Sequence, residues 1–234
     1  MNGLRSFGPG AGVTPAPVPT TGPLPRTALP VLQGIPRHLE AHLRRLEAGA
    51  SIQGHPAPWL PGLQSEIEAW LGSSLSGQDA ALRLILHPDL GLLSAKLEAL
   101  PVAPAPYRLV LMPHPLALRQ ADPLVTHKGL AGAWWVEPLA RARARGAEDA
   151  LLAWSDGSLA ETAITSIALQ VDQVLVVPPA PGRVASLAER LDLPGWAASR
   201  GLRTEQDHLS PAQMSAGQLW CMNALRGIWP ATLL

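Results

Sequence analysis

The sequence predicts an α/β (α+β) protein in two parts, a small N-terminal domain of helices on a sheet and a larger C-terminal domain with a barrel-like sheet. Three observations predict it. At 234 residues the chain is long enough for one large core or two small ones. Two helix-period stripes and a strand hairpin fall within residues 26–113, while beyond residue 149 short apolar runs separated by turn residues follow one another, as in a meandering sheet. The 25 prolines and 21 glycines cut the chain into many short elements.

Residues 1–25, with Gly8-Pro9-Gly10-Ala11-Gly12 and Pro15-Ala16-Pro17-Val18-Pro19, read as loop or disordered segment. The glycine cluster is no phosphate loop, because no strand precedes it and no Lys-Ser/Thr follows. Arg26 to Leu32 reads as an edge strand carrying Pro30. Gly34-Ile35-Pro36 opens a helix with proline in its first turn; Leu39, Leu43, Leu46 and Ala50 form its buried stripe, and His42, Arg45 and Gly49 a neighbouring face. A second helix, Leu60 to Leu71, turns Leu63, Ile67, Trp70 and Leu71 inward. Leu82–Leu86 and Leu92–Leu97 form a hairpin around His87–Gly91, with Lys96 exposed on it, and Tyr107–Met112 is a further strand closing a domain of residues 26–113. The proline-spaced stretch 114–123 reads as a linker to a domain of residues 124–234.

In the second part a helix is expected over Leu130–Arg145, kinked at Pro138 and stopped at Gly146. Asp149–Trp154 reads as a strand, Ser155–Ser158 as a tight turn and Leu159–Val171 as one long return strand. Val174–Val177, Leu219–Asn223 and Ile228–Leu233 are further strands, and Arg183–Leu191 and Ser210–Met214 are helical.

Hydrophobic residues make up 47% and charged residues 15%, and the formal net charge is zero. That balance points away from nucleic acid and from a polybasic membrane surface, and leaves a small molecule as the expected partner. No apolar run reaches the length of a membrane span, and Met1-Asn2-Gly3-Leu4-Arg5 leads into Gly and Pro rather than a signal-peptide core, so a cytoplasmic location is expected. One cysteine, Cys221, excludes an internal disulfide framework, and the seven scattered histidines offer no metal-ligand spacing. Tyr107 is the sole phenol for acid–base work.

Only two lysines, Lys96 and Lys128, stand among the 18 Lys and Arg residues. An amine forms an imine where a guanidinium does not, so Lys128, in Val125-Thr126-His127-Lys128-Gly129-Leu130, is the first candidate for chemistry.

The run Gly157-Ser158-Leu159-Ala160-Glu161-Thr162-Ala163-Ile164-Thr165-Ser166-Ile167, then Asp172 and Val177-Pro178-Pro179, resembles the class IV aminotransferase family of fold-type IV pyridoxal-phosphate enzymes. His127-Lys128 lies upstream as in that family, and His42-Leu43-Arg44-Arg45-Leu46 resembles its His-x-x-Arg-Leu helix. Met222-Asn223-Ala224-Leu225-Arg226-Gly227-Ile228-Trp229-Pro230 is similar to the ending of its 4-amino-4-deoxychorismate lyases. The resemblance implies pyridoxal 5'-phosphate as cofactor, with Lys128 as its imine lysine and the catalytic proton shuttle. It further implies that Glu161 pairs with the pyridine nitrogen and that Arg45, whose planar fork suits an oxyanion, holds the phosphate. Backbone amides around Asn223, Ala224 and Leu225 would serve phosphate and substrate carboxylate, and family members are homodimers.

The implied activity is aminodeoxychorismate lyase in folate biosynthesis. A class IV transaminase of branched-chain or D-amino acid type is the alternative, and a non-catalytic relative a second. The sequence departs from the family in four places. The first strand reads Arg26-Thr27-Ala28-Leu29-Pro30, the loop after Pro178-Pro179 lacks Gly-Ile/Val-Thr-Arg and leaves Ser186 or the Ala185 amide as substitutes, Ser166 replaces an asparagine, and Ala224 lacks the hydroxyl many members carry there.

Overall fold

The computed structural model describes residues 4–11, 23–116, 123–180 and 183–234. It divides into two compact units, one of Met1–Pro101 with His127–Ala133, the other of Val102–Thr126 with Trp134–Leu234. The expected fold class is the one observed: a helix-on-sheet unit and a larger unit built on a curled mixed sheet.

In the first unit β1 (Leu4–Phe7), β2 (Arg26–Leu32), β3 (Ile35–Pro36), β4 (Ala80–His87) and β5 (Leu92–Glu98) form an antiparallel sheet in the order β1-β5-β4-β2-β3. Helices α1 (Leu39–Ile52) and α2 (Gln64–Leu75) also belong to this unit. The α1 stripe of Leu39, Leu43, Leu46 and Ala50 is buried as its period requires, in one apolar cluster with Ile67 and Leu71 of α2 and Leu82, Leu84 and Leu86 of β4.

Two expectations are corrected in this unit. Residues 1–25 are not all loop: Leu4–Phe7, which precedes the first Gly-Pro pair, pairs with β5, and Phe7 is fully buried edge-on to Trp70. The proline-rich stretch 12–22 lies outside the described residues. Gly10 serves close packing, since a Cβ there would meet Leu90 O at 2.0 Å. Pro36 does not open the helix, because Gln33 and Gly34, with φ of 52° and 80°, make a two-residue turn that pairs Leu32 with Ile35. The helix starts at Leu39.

In the second unit β6 (Arg108–Pro113), α3 (Pro123–Thr126), α4 (Val136–Ala144), β7 (Asp149–Ala153), β8 (Leu159–Thr162), β9 (Ser166–Val171) and β10 (Val174–Val177) come first. A π-helical turn (Ala188–Asp192), α5 (Leu193–Ala198), β11 (Arg203–Gln206), a 3-10 turn (Pro211–Ala216), β12 (Gln218–Asn223) and β13 (Gly227–Leu233) follow. The sheet order is β11-β10-β9-β12-β13-β6-β7-β8, so β6 pairs with β7 and β13 rather than with the hairpin of the first unit.

Three helix and strand expectations change here. The helix foreseen from Leu130 begins at Val136, because Gly129 and Gly132 take φ of 97° and 72° and break the earlier turns; Pro138 then sits in the first turn, where proline costs little. The return strand Leu159–Val171 is two strands. Thr162 Oγ1 accepts from Thr165 N at 2.8 Å and meets Thr165 Oγ1 at 2.7 Å, local bonds that replace the ladder and let β8 pair with β7 while β9 pairs with β10 and β12. Arg183–Leu191 is helical only from Ala188, since Arg183 is drawn into the interior. No helix among the described residues is long and apolar enough to cross a membrane.

Candidate cofactor site

Lys128 is carried by a short segment locked onto the first unit at three points. The Arg26 N–H at the start of β2 donates to Lys128 O at 3.4 Å. His127 Nε2 donates to the Arg45 carbonyl of α1 at 2.8 Å, which assigns the ring proton to that nitrogen. Gly129 lies so close to the chain before β2 that a Cβ would meet Leu24 O at 2.3 Å and Arg26 Nε at 2.7 Å. Sequence-distant Lys128 and Arg45 are thereby brought to one place, and the Lys128 side chain is exposed while Arg45 is half-buried.

His42 marks that place electrostatically. It is one turn before Arg45 on α1, 1% exposed, with Nδ1 2.5 Å from Thr27 Oγ1 of β2 and a buried Nε2 that has no partner among the described residues. Burial, and then the charges of Lys128, Arg45 and His38, push its pKa down to about 3. The imidazole is therefore neutral at any ordinary pH beside two basic side chains. From the sequence, His42 has a helix face and a place in the His-x-x-Arg-Leu resemblance but no role, because its burial depends on Thr27 of another element.

The second unit carries the carboxylate. Glu161 lies on β8, all four residues of which are buried, and its Oε1 accepts from the Val184 N–H at 3.0 Å. The loop after Pro178-Pro179 continues this contact: Ser186 N donates to Ser166 Oγ at 2.9 Å, and Ser186 Oγ accepts from Glu189 N at 3.1 Å. Ser166 itself pairs with Met222, next to Asn223. Ala224, Leu225 and Arg226 form the turn between β12 and β13, and Oδ1 of Asn223, the last residue of β12, accepts from Leu225 N at 3.1 Å and Arg226 N at 3.0 Å. The sole phenol, Tyr107, is buried and donates to Asp149 at 3.1 Å, and burial pushes its pKa well above the usual value. It is a core residue.

Each unit by itself carries groups of the kind a phosphorylated pyridine aldehyde requires. Imine formation needs an amine, the phosphate dianion a guanidinium and neutral hydrogen-bonding groups, and the ring nitrogen an anion. The first unit offers Lys128, Arg45 and His42 Nε2, which has no hydrogen-bond partner among the described residues; the second, described by itself, offers Glu161.

Comparison with known proteins agrees. Residues 27–234 match the amino-transferase class IV family. The fold IV-transaminase of Curtobacterium pusillum superimposes with a TM-score of 0.79 at 21% identity, over 94% of this chain and 84% of that one. A hypothetical aminotransferase from Mycobacterium tuberculosis, solved with α-ketoglutarate and PMP, gives 0.79 at 20%, over 98% and 90%. The 4-amino-4-deoxychorismate lyase of Pseudomonas aeruginosa gives 0.73 at 22%, over 98% and 91%. A search of curated proteins gives no match. The match over residues 27–234, on this fold, establishes that the chain belongs to the class IV aminotransferase family, whose cofactor is pyridoxal 5'-phosphate.

Proposed function

We propose that the chain is a pyridoxal-phosphate lyase that converts 4-amino-4-deoxychorismate to p-aminobenzoate and pyruvate, a reaction of folate biosynthesis. The observation that carries the cofactor reading is the convergence of Lys128 and Arg45 on one place in the first unit, through the His127–Arg45 and Arg26–Lys128 contacts, beside buried His42. The lyase reading rests on the Asn223-Ala224-Leu225-Arg226-Gly227 turn, similar to the ending of such lyases. When bound, the cofactor supplies a carbonyl carbon for amines and a ring that withdraws electrons from the carbon next to the captured nitrogen. Lys128 Nζ is the attachment amine. With the substrate amine held by the cofactor, the freed Nζ would take the proton from the ring carbon that bears that amine; the neighbouring ring C–O bond would break as the ring becomes aromatic, and the departing enolpyruvate would take up a proton at its methylene carbon to give pyruvate. Arg45 holds the phosphate with its planar fork, and the Glu161 carboxylate serves the ring nitrogen. The backbone around Asn223, Ala224 and Leu225 faces phosphate or substrate carboxylate, and the working form is a homodimer.

The transaminase reading is favoured by the similarity to the Curtobacterium pusillum transaminase. One assay separates the two. Pyruvate released from 4-amino-4-deoxychorismate without any added keto acid supports the lyase, whereas conversion of the cofactor to its amine form by an amino acid, reversed by a keto acid, supports the transaminase.

A further inference from the structure

The loop that follows β10 contains a buried ion pair. The Arg183 side chain is 1% exposed and that of Glu189 8%. Arg183 Nη1 and Nη2 each donate to one Glu189 oxygen at 2.6 Å, Nε donates to Pro178 O at 3.0 Å and Pro179 O at 3.1 Å, and Nη2 also reaches Pro178 O at 2.5 Å. The guanidinium thus ties the end of β10 to the helical turn beginning at Ala188. Burying two charges is expensive, and well-packed apolar side chains often do as well for stability, so stability alone does not account for this pair.

The pair encloses a short segment of the loop. The residues bracketed by Arg183 and Glu189 send one backbone N–H to each of two strands, Val184 N to Glu161 Oε1 on β8 and Ser186 N to Ser166 Oγ on β9. Ser186 is held in turn by the Glu189 N–H on its hydroxyl. In this sequence Arg183 stands in the loop that departs from the family's Gly-Ile/Val-Thr-Arg pattern, so the clasp belongs to this chain's own solution. We propose that the Arg183–Glu189 pair is a positioning clasp for Glu161, fixing the Val184 amide against Oε1 and so holding the carboxylate in one orientation. The proposal rests on the reading of Glu161 as the partner of the cofactor ring nitrogen.

The test uses the full chain loaded with pyridoxal phosphate labelled with nitrogen-15 in the ring, and reads the ring-nitrogen resonance together with the dissociation constant. The variants are Glu161→Gln, the double replacement Arg183→Met with Glu189→Leu, and all three together. Glu161→Gln moves the resonance. The clasp variant moves it in the same direction and weakens cofactor binding about tenfold, the scale of one lost hydrogen bond to a charged group. Adding Glu161→Gln to the clasp variant then changes the resonance little further, because both act through one contact. A clasp variant that melts earlier but keeps the wild-type resonance overturns the proposal, since a merely structural pair would behave so. Should the double variant not fold, Arg183→Lys, which keeps the charge but not the fork, gives the same two readouts. If Glu161→Gln itself leaves the resonance unmoved, the reading of Glu161 fails and the proposal with it, an outcome distinct from failure of the clasp alone.

Discussion

Replacing His42 with glutamine removes a group that resists protonation, and the effect is computable from its surroundings. The native imidazole titrates at about 3 rather than 6.5, held there by burial and by the Lys128 and Arg45 charges. Below pH 6.5 the unfolded chain takes up a proton that the native one refuses, so this group lowers stability as pH falls from 6.5 to about 3 and has no further effect beyond. At about 1.4 kcal/mol per unit, the penalty at pH 5 is about 2 kcal/mol. Urea unfolding of wild type and His42→Gln at pH 7.5 and pH 5 measures it directly, because every other titrating group contributes equally to both proteins. The stability change between the two pH values should be about 2 kcal/mol less favourable on acidification in the wild type. Equal pH dependence in the two proteins, or a His42 ring resonance titrating near 6.5, would refute the buried, cation-flanked imidazole. Lys128→Met should raise the His42 pKa only in part, since burial is the larger cause.

Two further outcomes follow from other residues. Asp149 is fully buried against Tyr107, Thr162 and its neighbour's amide, and burial raises its pKa to about 6, so its ionisation costs stability as pH rises through 6. Asp149→Asn should therefore stabilise the protein at pH 8 by about 2 to 3 kcal/mol and leave it nearly unchanged at pH 4, as read by urea unfolding; no gain at pH 8 would mean the carboxylate is not destabilised there. Gly129→Ala places a methyl 2.3 Å from Leu24 O at φ 97°, which must displace the segment bearing Lys128. Cofactor binding should fall at least tenfold with a stability loss of about 1 to 3 kcal/mol, and wild-type binding by this variant would show that the segment is not held as described.

Local periodicity made much of the fold legible. The α1 stripe and the β4–β5 hairpin were readable because 3.6- and 2-residue patterns coincide with burial there. The β1 strand was hidden by the glycine and proline that follow it, and the break at Thr162–Thr165 was hidden because its side-chain bonds interrupt an apolar run without changing its composition. Lys128 stood out by scarcity, and Glu161 and Arg45 by a motif. His42 and Arg183 were opaque, because the burial of an ionisable side chain depends on tertiary partners: Thr27 on another element for one, Glu189 across a loop for the other. Nothing in residue type announces such a pairing.

The central claim is that Lys128 carries the cofactor, and two lysines make it directly testable. The protein is incubated with pyridoxal phosphate, reduced with borohydride to fix any imine, digested and mapped by mass spectrometry. One pyridoxyl group is expected on Lys128, none on the exposed strand residue Lys96, and no label in Lys128→Ala. Label on Lys96, or an unlabelled Lys128 in protein that binds the cofactor, would contradict it.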